Sequence, residues 1–126
     1  MTDATHLSGR RVLVVEDEAM IAMMLEDMLA DLGCAVIGPA DDVPEALALA
    51  AGPDAIDVAL LDVNLAGRPV FEVADALRAK GVPMIFSTGY GDAGLRDLDV
   101  GAPVLRKPFR SRDLAVALHL ALGIAV

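Results

Sequence analysis

The sequence predicts an α/β domain: a parallel sheet with helices on both faces. Three observations carry this. Five short aliphatic runs alternate with helical patterns along the 126 residues. The runs are continuously apolar, as strands buried on both faces are. They end in acids, hydroxyls or bases, and in such sheets ligands sit beyond the carboxyl ends of the strands.

Residues 11–15 form the first strand. Residues 18–32 read as a helix with Ile21, Leu25, Met28 and Leu32 as its buried stripe and Gly33 as its stop. Residues 34–37 are a second strand, with Cys34 read as a small core residue. Residues 43–51 are an Ala/Leu helix with Pro44 in its first turn. Residues 57–61 make a third strand that ends at Asp62. Residues 69–80 make a helix stopped by Gly81, and residues 83–87 a fourth strand. Residues 89–102 are rich in Gly and Asp, with room for one short helix, and are expected to be the most mobile part of the domain. Val104 and Leu105 mark a fifth strand, ended by Pro108. Ser111 is placed to cap a last helix reaching about Leu122, with Leu114, Ala117, Leu118 and Ala121 buried. Residues 1–10 read as a polar lead-in and residues 11–126 as one domain.

Composition narrows the function classes. Residues are 56% hydrophobic but only 3% aromatic, so the core must be aliphatic and disorder is excluded. Ten basic against 19 acidic residues give a net charge of −9. That balance opposes nucleic-acid binding, which needs a basic face, and favours a metal cation or a basic partner surface. A single cysteine, no signal peptide and no run long enough for a membrane span make a cytoplasmic protein the expectation. The last apolar stretch runs to Val126, so no output domain is expected after it.

The strand ends bring chemistry to one edge. The first strand ends in Glu16 and Asp17, the third in Asp62, the fourth in Ser87 and Thr88, and the fifth in Arg106 and Lys107. Packed carboxylates repel unless a cation joins them. A hard divalent ion, Mg²⁺ or Mn²⁺, suits one or two carboxylates, a carbonyl and waters. Asp17 and Asp62 are the direct ligand candidates, Glu16 a ligand through water, and Asn64 the carbonyl donor. With Lys107 and Thr88 the set forms an anion pocket, and it contains the parts needed for phosphoryl transfer onto Asp62.

The motifs Val-Val-Glu-Asp-Glu (14–18), Leu-Leu-Asp-Val-Asn-Leu (60–65), Phe-Ser-Thr-Gly-Tyr-Gly (86–91) and Leu-Arg-Lys-Pro-Phe (105–109) resemble those of response regulator receiver domains, the CheY-like superfamily. The resemblance covers nearly the whole chain. It implies a flavodoxin-like doubly wound (βα)5 fold with strand order 2-1-3-4-5. It implies that Asp62 accepts phosphate from a phosphohistidine, that Glu16 and Asp17 serve Mg²⁺, and that Thr88 and Lys107 contact the phosphoryl group and help switch the conformation. The Phe-Ser-Thr-Gly-Tyr-Gly stretch is similar to the receiver subfamily nicknamed FATGUY. Val104 stands where receivers usually carry an aromatic switch residue, which leaves Tyr90 as the candidate to share that role or to reach the phosphoryl site.

The implied partners are a histidine kinase or a histidine phosphotransfer protein, followed by a downstream protein target, or a role as a phosphate sink. Met20 and Met23 fall off the buried stripe of the first helix, and Val116 and Leu120 off that of the last. They are candidate docking positions for a phosphodonor and for a target or homodimer. His6 and His119 read as surface residues, and Ser87 as an ordinary strand-end hydroxyl. Two rival readings remain. A pseudo-receiver adaptor would use the fold without phosphate chemistry. An aspartate-nucleophile phosphatase would need a second acid/base where Asn64 stands, and a cap. A receiver is not a conventional enzyme, since it catalyses only its own phosphorylation and dephosphorylation.

Overall fold

The computed structural model describes residues 7–65, 67–89 and 101–124. Five parallel strands, β1 (Arg11–Val15), β2 (Ala35–Ala40), β3 (Val58–Asp62), β4 (Met84–Thr88) and β5 (Val104–Arg106), form one sheet in the order β2-β1-β3-β4-β5. Helices α1 (Ala19–Asp31), α2 (Val43–Ala51), α3 (Phe71–Ala79) and α4 (Ser111–Leu122) cover it. This is the doubly wound, flavodoxin-like architecture the sequence predicts. After β3 the pairs Asn64–Leu65 and Arg68–Pro69 form a small antiparallel ribbon, too short to leave a periodic signal in the sequence.

Side-chain alternation sorts the core into two layers. Leu13, Val15, Ala59, Leu61 and Phe86 face α2 and α3. Val12, Val14, Val58, Leu60, Ile85 and Leu105 face α1 and α4. Each fully buried Leu or Ile contributes roughly 1.5–3 kcal/mol of transfer free energy. The second layer sets up the site, because Glu16, Asp62 and Lys107 stand two residues beyond Val14, Leu60 and Leu105.

Local rules account for the ends of the elements. Asp42 caps α2, its Oδ1 accepting from the Glu45 N–H at 2.8 Å, while Glu45 Oε1 accepts from the Asp41 N–H at 2.9 Å. Gly33 and Gly81 follow α1 and α3 with φ of +85° and +75°, which only glycine adopts cheaply.

Several expectations need correction. The buried stripe of α1 is Ala22, Leu25 and Leu29, with Ile21, Met28 and Leu32 half-buried at its flanks. Ala22, Leu25 and Leu29 follow the i, i+3, i+7 spacing of one helix face, so an alanine takes the inward place expected of Ile21. On α4, Leu114, Ala117 and Leu118 are buried as expected, but Ala121 is only half-buried. His119 is buried, at 1% exposure, and is not a surface residue. Gly123 ends α4 in the left-handed region at φ +71°, the Ile124 N–H donates to the His119 carbonyl at 3.0 Å, and Ile124 packs on the layer that faces α1 and α4. Ser111 is the first residue of α4 and not its cap. Asp113 does the capping, its Oδ2 accepting from the Arg110 N–H at 2.9 Å.

The expected polar lead-in ends earlier than residue 10. Leu7 is buried beside α1 and β1, and its carbonyl accepts from Cys34 Sγ at 3.4 Å. Cys34 is the core residue expected of it. Burial pushes its thiol above the ordinary range. The segment expected to be most mobile falls almost wholly outside the described residues.

An irregularity in β2 holds the first acid of the site. Leu13 pairs with Ile37 but Val15 pairs with Ala40, so β2 carries one extra residue in the Gly38-Pro39 stretch. The Ala40 carbonyl then accepts from the Glu16 N–H at 2.9 Å. Gly38 has φ +93°, and a Cβ there would lie 2.8 Å from the Ala40 nitrogen and 3.1 Å from the Val14 oxygen. Both are backbone atoms that cannot step aside. Gly38→Ala is therefore expected to destabilise the fold by about 1–3 kcal/mol, read as a lower denaturant midpoint at an unchanged m-value. A midpoint equal to that of the native protein would show that the bulge tolerates a side chain.

Candidate functional site

The site forms where the polar ends of β1, β3, β4 and β5 outlast the apolar core. A cleft of about 380 Å³ opens there, lined by Asp17, Asp62, Asn64, Thr88 and Lys107 among others. Carboxylate oxygens of Glu16, Asp17 and Asp62 all lie within 4.8 Å of one another. Glu16 and Asp62 are buried and Asp17 is exposed, so the trio has one open side. Thr88 is buried at the cleft wall, where β4 ends.

Lys107 ties the acids together. Its Nζ lies 3.0 Å from Glu16 Oε1, 3.1 Å from Asp62 Oδ2 and 3.6 Å from Glu18 Oε1. Its position is fixed from β4, the Lys107 N–H donating to the Thr88 carbonyl at 2.9 Å. Backbone amides orient the two buried carboxylates. The Asn64 N–H donates to Asp62 Oδ1 at 3.2 Å, and the Glu18 N–H to Glu16 Oε2 at 3.1 Å.

Burial dominates the electrostatics. It pushes the Glu16 carboxyl up to about 7, against the opposing hydrogen bonds from Lys107 and the Glu18 amide, and the nearby Asp62 charge adds to the rise. Asp62 is also raised, by burial first, against its bonds to Lys107. Burial alone would lower Lys107, but the hydrogen bonds it donates to Glu16 and Asp62 carry it above the ordinary lysine range. The pocket is thus short of positive charge, with one ammonium serving two buried acids. A divalent cation fits this donor set: three clustered carboxylates, one side open, and oxygen donors only. Glu16, Asp17 and Asp62 would hold it.

The predicted site residues divide in two. Glu16, Asp17, Asp62, Asn64, Thr88 and Lys107 come together. Asn64 reaches Asp62 through its amide, a contact the sequence reading did not include. Val104 does not join them. It sits half-buried on β5 in a groove with Phe109, Val116 and Leu120. Tyr90 lies outside the described residues. Sequence reasoning missed Glu18 and Gly67. Glu18 looks like an ordinary acid at a helix start, and Gly67 reaches the cleft only through the ribbon after β3.

A family model for the response regulator receiver domain matches residues 12–119, and this chain belongs to that family of two-component signalling domains. It is 37% identical over 128 residues to the transcriptional regulatory protein PdtaR of Mycobacterium tuberculosis, a match covering 97% of this chain and 61% of the relative's length. SdrG from Sphingomonas melonis Fr1 is 42% identical, with TM-score 0.78 over 92% of this chain and 98% of that one. The receiver domain of the sensor histidine kinase PA1611 from Pseudomonas aeruginosa PAO1 is 28% identical, with TM-score 0.78 over 92% of this chain and 99% of that one. That structure has a magnesium ion coordinated in its active-site cleft.

The raised Glu16 carboxyl has a measurable consequence. A group whose pKa is higher folded than unfolded stabilises the fold below its unfolded value, and this contribution is lost as pH rises through the folded value. In chelator, stability is therefore expected to fall between about pH 4.5 and about 7. Glu16→Gln should flatten that decline in thermal melts across the range. An equally steep decline in the variant would place the titrating group elsewhere.

Proposed function

We propose that this chain is a phosphoryl-accepting receiver, with Asp62 as the acceptor and a histidine kinase or histidine phosphotransfer protein as the donor. One observation carries the reading: a buried carboxylate at the end of the central strand faces a lysine, a threonine hydroxyl and two further acids across an open cleft. An Asp62 oxygen attacks phosphorus, the P–O bond forms as the P–N bond to the donor imidazole breaks, and the imidazole leaves with a proton from solvent. The chain's own groups orient and neutralise. The Asn64 amide holds the carboxylate, Lys107 supplies positive charge, and Thr88 offers a hydroxyl at the wall. A bound Mg²⁺ or Mn²⁺ would supply charge neutralisation for the acids and the transferred oxygens.

Incubation with Mg²⁺ and acetyl phosphate should add one phosphoryl mass to the native protein and none to Asp62→Asn. Labelling of the variant at the native yield would remove Asp62 from the role. A native protein that takes label from no donor would favour the adaptor reading.

Signalling by protein association follows from the surfaces. Met20 and Met23 are 84% and 63% exposed on α1, which begins beside the cleft. A donor helix bringing its histidine to Asp62 would pass over them. Leu120, 63% exposed, and Val116 border the separate groove on α4, which suits a downstream target or a second copy of the chain. Among the described residues no helix is long and apolar enough to cross a membrane.

Met23→Glu should slow transfer from the cognate phosphodonor at least several-fold and leave acetyl phosphate labelling intact, because a small molecule needs no docking surface. Leu120→Glu should weaken target binding or self-association and leave transfer unchanged. Native transfer rates in Met23→Glu would exclude α1 as the docking surface.

A further inference from the structure

We propose that Ser87 is a positioning residue for Lys107, holding the ammonium when the acids are engaged elsewhere; this rests on the reading of Asp62 as the phosphoryl acceptor. Three observations lead there. Lys107 follows β5, but its partners lie on β3 and at the end of β1, and β4 stands between. The lysine stem therefore crosses β4. Asp62 pairs with Ser87, and Ser87 with Leu105. Alternation puts Ser87 on the face of Ile85, the same face from which Asp62 and Lys107 project. Ser87 thus lies under the crossing.

Thirdly, Ser87 is 1% exposed, and its Oγ has no hydrogen-bond partner among the described residues. A buried hydroxyl with no partner is costly, and native structures rarely keep one without a use. In the structure described here, the Lys107 ammonium is spent on Glu16 and Asp62. Binding of a cation by those acids withdraws acceptors from it. Glu18 Oε1, 3.6 Å from Nζ, is exposed to solvent, and the Ser87 hydroxyl is then the buried, uncommitted oxygen beside the stem that can accept from Nζ. The two hydroxyls at the end of β4 divide the work: Thr88 lines the cleft, and Ser87 serves the lysine from beneath.

The experiment compares native protein with Ser87→Ala, and Ser87→Thr with its near-isosteric counterpart Ser87→Val. Magnesium affinity is read by NMR titration, phosphoryl uptake from phosphoramidate by intact mass, and stability in chelator by thermal melts. Ser87→Ala should melt no lower than native in chelator, because it removes an unpartnered group. It should bind Mg²⁺ and take phosphate roughly three- to tenfold less well, about the worth of one hydrogen bond. Ser87→Thr should exceed Ser87→Val in both by a similar factor, a comparison that stands even if Ser87→Ala folds poorly. Equal Mg²⁺ affinities and equal uptake rates within both pairs would overturn the proposal. If the native protein takes no phosphoryl group, the Asp62 reading fails, and the Mg²⁺ affinities still decide the role of Ser87.

Discussion

One ammonium held between two buried carboxylates is the interaction on which the rest of this molecule turns. Lys107 Nζ sits about equally far from Glu16 and Asp62, and among the described residues neither acid forms a salt bridge to another cation. Buried ion pairs often give back in desolvation what they gain in attraction, but removing one partner leaves the other stranded at high cost. Here a single lysine answers for two acids, and both carboxyls remain above their ordinary range. The end of the sheet is therefore stable enough to fold and still in need of positive charge, a condition suited to an incoming cation.

The fold produces this condition through strand parity. Along β1, β3 and β5 the residues facing α1 and α4 are apolar up to Val14, Leu60 and Leu105, and two residues further on stand Glu16, Asp62 and Lys107. Sheet order then sets distances. The acids come from adjacent strands, and the lysine from a strand beyond β4, so only a long flexible side chain could serve both. The bulge at Gly38 and the ribbon after β3 complete the arrangement. The first anchors the Glu16 backbone to β2, and the second accompanies the turn that aims the Asn64 amide at Asp62.

The surfaces around the cleft share its character. A second cleft, of about 320 Å³, runs beside α1 and is lined by Glu16, Asp17, Met23, Glu26, Asp41 and Glu45. Methionine beside clustered acids offers an adaptable apolar contact with a negative rim. The groove beside α4 carries Arg106, Arg112 and Asp113 with Val116 and Leu120. The two grooves thus differ in charge, one lined by acids alone and the other by both signs.

Local chemistry determined much of this from the sequence alone. Continuous aliphatic runs marked five strands, glycines after α1 and α3 marked their ends, and acids with one lysine at strand ends marked the cleft. These signals are short-range, so they survive without knowledge of packing. Tertiary structure decided what depends on neighbours distant in the chain. Leu7 belongs to the core, its carbonyl bonded to Cys34, and His119 joins the buried side of α4 next to Leu118. The stripe of α1 runs through Ala22, Leu25 and Leu29, a choice between neighbouring apolar faces of the helix that only packing on the sheet makes. Val104 was separated from the cleft by its place on β5. Ser87, an unremarkable hydroxyl in the sequence, became significant only when sheet order laid the lysine across it. Periodicity records which face a residue takes; only packing decides what that face meets.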